Sequence, residues 1–261
     1  GVSLGPDDAT VEDPLVARAG LADDVDGDDI TVRFDWFIDG LKVEEMHGNE
    51  LAAGRAVRGQ SVRVRATPND GVADGEPVEA GPVVISNALP RLDGVSVEPS
   101  EIFETTVARC VASGVFDPDG DDVQLSMTWL VNDVVAGSEA TLDGSAFDRD
   151  QLLVCRIMPS DGTEEGQEVA SAAAQVRNSL PLVGSVAIEP PMPRVGDRLT
   201  AIVSGIVDED DDNVNLGYAW KVDGQLVGSA EALAPGRARR GTRGTVEITP
   251  FDGSDYGDVH V

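Results

Sequence analysis

The chain carries one block of sequence three times, and this repetition constrains its architecture more than any other feature. The block consists of an acidic loop, an alternating segment, a tryptophan and a two-residue turn. Its versions read DVDGDDITVRFDWFIDG, DPDGDDVQLSMTWLVND and DEDDDNVNLGYAWKVDG, at residues 24–40, 117–133 and 208–224. The tryptophans are 93 and 91 residues apart, at Trp36, Trp129 and Trp220. Repetition at a fixed period indicates an array of similar structural units.

Other elements keep the same register and place the boundaries between the units. A P-x-D-G element begins at Pro68, Pro159 and Pro250, at intervals of 91. An N-x-x-P element starts at Asn87 and again at Asn178, between the last strand of one copy and the first strand of the next. These linkers predict three domains, at residues 1–88, 89–179 and 180–261, each of a size that folds alone.

The two ends of the sequence also lie in register with the repeat. Gly1 aligns with Gly94 and is preceded by no N-x-x-P element, whereas Val261 aligns with Ala170, short of the strand that ends near Val176. We therefore expect the chain to be a fragment of a longer array, with an incomplete C-terminal strand in the third domain.

Alternation with a period of two predicts β-strands throughout. In the first copy Val32, Phe34 and Trp36 share one face of a predicted strand, and Asp39-Gly40 follows as a pair that tolerates a type I′ hairpin turn. About seven short strands per copy, with a buried Trp on the third, is typical of an immunoglobulin-like sandwich. The sequence predicts an all-β fold, a tandem array of three immunoglobulin-like β-sandwiches.

The chain has two cysteines, both in the second copy. Cys110 lies on the predicted second strand and Cys155 on the sixth, both on the inward face, with Trp129 between them in sequence. This matches the Cys, Trp, Cys arrangement of immunoglobulin domains, and it predicts a disulfide that joins the two sheets and an oxidising compartment. Two buried free thiols are the alternative.

The charge balance excludes some partners and favours others. The chain has 19 basic and 48 acidic residues, a net charge of -29, which argues against nucleic acid and anionic membranes as partners. No apolar run of 18 residues and no signal-peptide pattern is present, so the sequence predicts no membrane insertion in this segment. An acidic surface favours cations.

The carboxylates are the candidate metal ligands. In a seven-stranded sandwich, the acidic loop and the P-x-D-G loop emerge at the same end, and the linker asparagines lie beside the acidic loop of the following domain. Gathered carboxylates repel one another, and hard oxygen ligands favour Ca²⁺. The predicted ligands are Asp24, Asp26, Asp28, Asp70, Asn87, Asp117, Asp119, Asp121, Asp161, Asn178, Asp208, Asp210, Asp212 and Asp252. Solvated polar turns are the alternative interpretation.

The D-x-D-G-D loops and N-x-x-P linkers resemble those of bacterial extracellular immunoglobulin-like tandem repeats of the calcium-binding, cadherin-like or PKD-like kind, found in adhesins and surface stalks. The W-D-F-G-D-G block of PKD domains and the D-x-N-D-N linker of cadherins are missing. The resemblance implies an extracellular or cell-surface rod, structural or adhesive, that is stiffened by calcium and contacts neighbouring repeats. Other surface proteins or glycans are the further partners that it implies.

The sequence leaves three other functions to compare with a rod. An enzyme is disfavoured because His47 and His260 occupy non-equivalent positions and no phosphate loop or catalytic triad pattern is present. A carbohydrate-binding array would use exposed aromatic side chains, and the candidates Phe37, Phe251 and Tyr256 do not recur between copies. A subunit of a surface filament would complete its last sandwich with a strand from a neighbour.

Overall fold

The computed structural model describes residues 1–20, 27–44, 46 and 48–261. The described residues form β-strands joined by turns and loops, with one short 3-10 turn at Gly144–Ala146. No helix of the described chain is long and apolar enough to cross a membrane. The all-β class that the sequence predicts is confirmed.

Residues 1–88 form two antiparallel sheets. Three strands pair in the order β1-β2-β5 and four in the order β4-β3-β6-β7. The strands are β1 (Val2–Gly5), β2 (Leu15–Ala19), β3 (Thr31–Ile38), β4 (Leu41–Lys42), β5 (Glu50–Leu51), β6 (Ser61–Asn69) and β7 (Val78–Val84).

Residues 89–179 repeat this plan. One sheet has the order β12-β9-β8, and the other has the order β11-β10-β13-β14, with β15 also paired to β13. The strands are β8 (Gly94–Glu98), β9 (Ala108–Ser113), β10 (Gln124–Val131), β11 (Val134–Gly137), β12 (Thr141–Leu142), β13 (Leu152–Ser160), β14 (Val169–Ala170) and β15 (Ala174–Gln175).

Residues 180–261 form two three-stranded sheets, with the orders β16-β17-β20 and β19-β18-β21. The strands are β16 (Leu182–Glu189), β17 (Leu199–Val207), β18 (Asn215–Val222), β19 (Gln225–Gly228), β20 (Ala232–Leu233) and β21 (Gly244–Phe251). In the described chain no sheet draws strands from two repeats. This is the sandwich array that the repeat period predicts, and the domain boundaries at 88 and 179 remain a prediction.

Each sandwich is built around its tryptophan. Trp36, Trp129 and Trp220 are at most 1% exposed. Each indole Nε1–H donates to a backbone carbonyl in the segment after the following hairpin, at 2.9 Å: Gly48, Glu139 and Ala230, respectively. A buried indole needs such a partner, because an unpaired buried N–H is costly. The same bond in all three repeats fixes the same strand geometry.

The predicted disulfide is present. Cys110 on β9 and Cys155 on β13 are bonded, with their Cα atoms 5.9 Å apart. Because β9 and β13 belong to different sheets, the bond joins the two faces of the sandwich. The first and third repeats bury alanine and valine at the equivalent positions, so their sandwiches are held by packing alone.

Contacts between residues divide the chain into two compact units. The first comprises Gly1–Gly94, Ala112–Ser126 and Ile157–Val169. The second comprises Val95–Val111, Met127–Arg156 and Ala170–Val261. The division passes through the second repeat. The end of that repeat that carries its acidic loop is grouped with the first repeat, and its remainder is grouped with the third.

Candidate cation sites at the joints between repeats

The acidic loop of the second repeat is organised by its first aspartate. The Asp117 Oδ1 atom accepts the backbone N–H groups of Asp119 (2.8 Å) and Asp121 (3.2 Å). This short polar side chain thereby closes the turn on itself, and Gly120 takes the positive φ of 84° that the turn requires. The result is a tight loop that holds three carboxylates in a fixed arrangement.

The P-x-D-G loop supplies a fourth carboxylate. The Asp161 Oδ1 atom accepts the N–H groups of Thr163 (2.6 Å) and Glu164 (2.7 Å), which orients the side chain. One carboxylate oxygen each from Asp117, Asp121 and Asp161 lie within 4.8 Å of one another. The expected convergence of the two loops is therefore present in the second repeat.

The linker before the second repeat binds both loops. The Asn87 amide donates to Asp161 (2.8 Å) and to Glu164 (3.0 Å). The backbone N–H of Ala88 donates to Asp119 Oδ2 at 2.7 Å. The hydrogen bond from Asn87, together with backbone N–H bonds, holds the pKa of Asp161 below its usual value. The linker asparagine thus binds the P-x-D-G loop, and the residue after it binds the acidic loop.

An arginine that the sequence interpretation missed also enters this joint. Arg58, in the loop before β6, donates to the side-chain oxygens of Asn87 and Asp121, and its Nη1 lies 3.9 Å from Asp119 Oδ2. The hydrogen bond to Asp121 raises the pKa of Arg58. All of these residues belong to the first compact unit. One guanidinium therefore interacts with the carboxylates of Asp119, Asp121 and Asp161, and the joint keeps a negative charge.

The third repeat forms the same joint with the linker at Asn178. Asp208 Oδ1 accepts the N–H groups of Asp210 (3.0 Å) and Asp212 (3.3 Å), and Ser179 N–H donates to Asp210 at 2.6 Å. Arg149 lies 91 residues after Arg58, and it binds Asn178 and Asp212 as Arg58 binds Asn87 and Asp121. These residues belong to the second compact unit.

Asp252 completes the second joint. It accepts the Asn178 amide at 2.9 Å, and Asp255 accepts the same amide at 3.2 Å. Burial opposes ionisation of Asp252, but the hydrogen bonds from Asn178 and the loop backbone outweigh it and lower the pKa of this carboxyl. In this repeat the oxygens within 4.8 Å of one another come from Asp208, Asp210 and Asp212.

Both joints contain buried carboxylate oxygens with no partner. They are Asp117 Oδ2 and Asp119 Oδ1 in the second repeat, and Asp208 Oδ2 and Asp210 Oδ1 in the third. The side chains of Asp119 and Asp210 are 3% and 2% exposed. An unpaired buried carboxylate oxygen is costly, and the same positions leave the same atoms unpaired 91 residues apart. These atoms are the donor set that a hard cation fits.

The first repeat differs from the other two. Asp24 and Asp26 lie outside the described residues, and Asp28 is exposed. Asp70 orders its own loop as Asp161 does: hydrogen bonds from the N–H groups of Ala73 and Val72 lower its pKa. Among the described residues, this repeat contributes no group of three acidic side chains close enough to hold an ion.

Two glycines allow the linker to approach the P-x-D-G loop closely. A Cβ atom on Gly166 would lie 1.9 Å from the carbonyl oxygen of Pro90, and one on Gly257 would lie 1.9 Å from that of Pro181. At their counterpart in the first repeat, Gly75, a Cβ atom would meet only Pro68. Close linker packing is therefore built into both joints.

The candidate sugar-binding aromatics do not form a recurring surface. The Phe251 and Tyr256 rings lie 4.5 Å apart in the third repeat. Phe37, in the first repeat, lies beneath the Arg65 guanidinium, which is 5.1 Å from the ring centroid. These are local pairs at different places in the repeat.

Comparisons with known proteins assign the chain to no family. No family model matches the chain, and no curated protein matches it. The solved structures that resemble it include three domains of the bacteriophage RB49 outer capsid protein Hoc (17% identity, 99% of this chain and 94% of that chain, TM-score 0.30). They also include the FN1–FN3 domains of chicken CNTN1 (9%, 100% and 95%, TM-score 0.32).

A third similar structure is a Ca²⁺-stabilised adhesin with which an Antarctic bacterium binds ice (11% identity, 99% of this chain and 71% of that chain, TM-score 0.34). All three TM-scores are below 0.5.

Proposed function

We propose that the chain is a non-catalytic rod segment outside the cell, structural or adhesive, whose joints between repeats are stiffened by calcium. The observation that carries the proposal is the repetition of the same pattern of hydrogen bonds at two joints, 91 residues apart. At each joint an arginine and a linker backbone N–H bind the acidic loop of the repeat that follows, and the linker asparagine binds the P-x-D-G loop of that repeat. Joints reproduced in this detail support a role that depends on fixed geometry between successive repeats.

The three kinds of contact restrain a joint from different sides. The linker backbone holds the acidic loop through Ala88, and the linker side chain holds the P-x-D-G loop through Asn87. The arginine reaches across from the preceding repeat. A short linker bonded at three points has little conformational freedom, and this supports the stiff spacer that the resemblance implies.

The negative charge of each joint supports calcium as the ion that binds there. Each joint has four aspartates, a fifth acidic residue (Glu164 or Asp255) and one arginine, so the joint keeps an excess of negative charge after the arginine is counted. Two unit charges 4.8 Å apart repel by about 3.5 kcal/mol at an effective dielectric constant of about 20. A divalent cation with hard oxygen ligands removes this repulsion and also binds the unpaired buried oxygens.

The proposed ligands are the aspartates of the two loops at each joint. In the second repeat the ion would be held by Asp117, Asp119, Asp121 and Asp161, and in the third by Asp208, Asp210, Asp212 and Asp252. The linker asparagines are nearby, and their side-chain oxygens would bind the ion if the arginine released them. We also propose Asp24, Asp26, Asp28 and Asp70 as ligands in the first repeat, because they align in sequence with the aspartates of the other two repeats. At each proposed site calcium would supply only charge and coordination, and it would take part in no reaction.

Isothermal titration calorimetry with CaCl₂ tests the metal proposal directly. The wild-type chain, first treated with chelator, should bind calcium with at least two ions per chain. The variant carrying Asp119→Asn and Asp210→Asn should lose both joint sites, because each substitution removes one charge and places an amide among carboxylates. No binding at millimolar calcium would refute the proposal.

Asp133→Asn is the matched control. It makes the same substitution in the hairpin turn after β10, where Asp133 already has a positive φ of 65° that asparagine tolerates. The control should titrate as the wild type does. If it loses as much calcium binding as the double variant, the acidic surface binds ions nonspecifically and the joint sites are refuted.

A further inference from the structure

The arginine at each joint holds groups that are proposed to bind calcium. Arg58 donates to both carboxylate oxygens of Asp121, with one of these bonds at 3.1 Å, and it also donates to the side-chain oxygen of Asn87. The equivalent bonds of the second joint run from Arg149 to Asp212 and Asn178. Each arginine therefore occupies an aspartate and an asparagine that an ion at the joint would use.

The loop that carries the arginine is fixed in the same way in both repeats. The residue after the arginine has a positive φ, 83° at Gly59 and 67° at Asp150. Its N–H donates to a carbonyl in the segment directly before the linker, that of Ile85 at 2.8 Å in the first repeat and that of Val176 at 3.0 Å in the second. The backbone beside each arginine is therefore bonded to the chain that enters the joint.

Each arginine reaches only the exposed side of its joint. The side chains of Arg58 and Asp121 are 38% and 30% exposed, whereas the Asp119 side chain is 3% exposed. Arg58 Nη1 lies 3.9 Å from Asp119 Oδ2, which the linker backbone already binds, and Asp119 Oδ1 has no partner. Arg149 lies 4.0 Å from Asp210 Oδ2 in the same way and leaves Oδ1 unpaired. The guanidinium therefore leaves the buried oxygens of the joint without a partner.

A guanidinium and a calcium ion bind oxygens in different geometries. The guanidinium is a flat fork of N–H donors, whereas Ca²⁺ takes about six to eight oxygens around one point, at about 2.3 to 2.6 Å. Two oxygens on one ion are therefore at most about 5 Å apart. One oxygen each from Asp117, Asp121 and Asp161 meet this condition, because they lie within 4.8 Å of one another. The arginine thus holds one member, Asp121, of a set that fits a single ion.

An ion and the arginine compete for the Asp121 carboxylate. An ion on an Asp121 oxygen would lie within about 5.5 Å of the guanidinium nitrogen on the same carboxylate, because an ion–oxygen contact of about 2.5 Å adds to a hydrogen bond of about 3 Å. Both groups are positive and repel each other at this distance. Exchange of the arginine for Ca²⁺ removes one positive charge from the carboxylates and supplies two, whereas a monovalent ion supplies only one. The exchange therefore favours a divalent cation.

We propose that Arg58 and Arg149 are tethered counter-ions that compete with calcium for the joints. Calcium binding releases each guanidinium from its aspartate and its linker asparagine, and the asparagine oxygen then becomes available to the ion. The arginine thereby weakens calcium binding and sets the calcium concentration at which the joint fills. This role rests on the proposed calcium sites, which it regulates.

Calcium titrations followed by ¹H–¹⁵N NMR test this competition joint by joint. The amides of Gly162 and Gly253 report on the first and second joints, because each directly follows the proposed ligand of a P-x-D-G loop. In the chelator-treated full chain at constant ionic strength, Arg58→Gln should lower the calcium midpoint at Gly162 about tenfold and leave the midpoint at Gly253 unchanged. Arg149→Gln should lower the midpoint at Gly253 and leave the one at Gly162 unchanged.

Two variants of the loop before β6 are the controls. Arg55→Gln removes the same charge from an exposed side chain that makes none of the joint contacts, and its midpoint at Gly162 should match that of the wild type. Arg58→Lys keeps the positive charge, and its midpoint should stay within about threefold of the wild-type value. If either control lowers the midpoint as far as Arg58→Gln does, the competition is overturned.

Release of the guanidinium is observed directly in the ¹⁵N signals of the Arg58 side chain. Rotation about its Nε–Cζ bond should be restricted in EDTA, where Asp121 and Asn87 hold the fork, and free in saturating calcium. Continued restriction at saturation would show that calcium does not displace the arginine.

The titrations distinguish failure of the competition from failure of the calcium sites. Calcium-induced shifts at Gly162 and Gly253 with unchanged or raised midpoints in Arg58→Gln and Arg149→Gln would overturn the competition and leave the calcium sites in place. Shifts at neither glycine, in the wild type and in both variants, would refute the calcium sites and the competition with them. Shifts in the two variants alone would support the role of the arginines and refute calcium binding by the wild-type joints.

Discussion

Replacing the disulfide with the residues found in the other two repeats should destabilise the second repeat selectively. The double variant Cys110→Ala and Cys155→Val reproduces the buried pairs Ala17 with Val64 and Ala201 with Val246, so the substituted side chains suit a sandwich of this kind. The variant therefore tests the covalent bond with little disturbance of the packing.

The magnitude follows from the length of the loop that the bond closes. The cysteines are 45 residues apart, and the chain-entropy relation gives about 4 kcal/mol at 25 °C for a loop of this length. Native stabilities of single domains are about 5 to 15 kcal/mol, so the second repeat should lose a large part of its free energy of unfolding.

Native-state hydrogen exchange read by mass spectrometry measures this loss repeat by repeat. Peptides from residues 89–179 should exchange through an opening free energy lower by about 4 kcal/mol, and slowly exchanging peptides from the other repeats should change by less than about 1 kcal/mol. A change below about 1 kcal/mol in the second repeat would refute the entropic argument. Labelling of two free thiols in unreduced, denatured wild-type protein would refute the bond itself.

Two further perturbations test the joint between the first and second repeats. Gly166→Ala should lower the free energy of unfolding by about 1 to 3 kcal/mol in chemical denaturation, because its Cβ would lie 1.9 Å from the Pro90 carbonyl oxygen. The control Gly75→Ala should lower the free energy of unfolding by less. Equal losses in the two variants would contradict the close linker packing. The Asp161 pKa is lowered in the folded state, so its stabilising contribution is present above its unfolded pKa and is lost as pH falls through its folded pKa. Asn87→Ala should raise the Asp161 pKa in a carboxyl NMR titration, and an unchanged pKa would show that the Asn87 bond is absent in solution.

Much of the fold follows from the sequence because its signals are local and repeated. The alternation around Trp36 determines a strand with one buried face, and the Asp39-Gly40 pair ends it in a hairpin. The disulfide was predictable because Cys110 and Cys155 share inward-facing positions on strands of different sheets. Repetition of each signal at the same spacing removes most of the ambiguity that a single copy would leave.

The joints were only partly predictable. Convergence of Asp117 with Asp161 follows from topology alone, since both loops emerge at one end of a sandwich. The contacts of Arg58 and Arg149 were missed, although the two residues are 91 positions apart, because an arginine in a polar loop gives no indication of its partner. Its partner lies in the next repeat, and only the folded joint brings the two together.

The most direct test of the central claim is the maximum dimension of the chain in small-angle X-ray scattering, with calcium and then with EDTA, at constant ionic strength. If calcium stiffens the joints, chelation removes it from the clustered carboxylates and lets the joints bend, so the maximum dimension should shorten. The variant carrying Asp119→Asn and Asp210→Asn should show no calcium dependence. An identical scattering profile for the wild type in calcium and in EDTA would contradict the account.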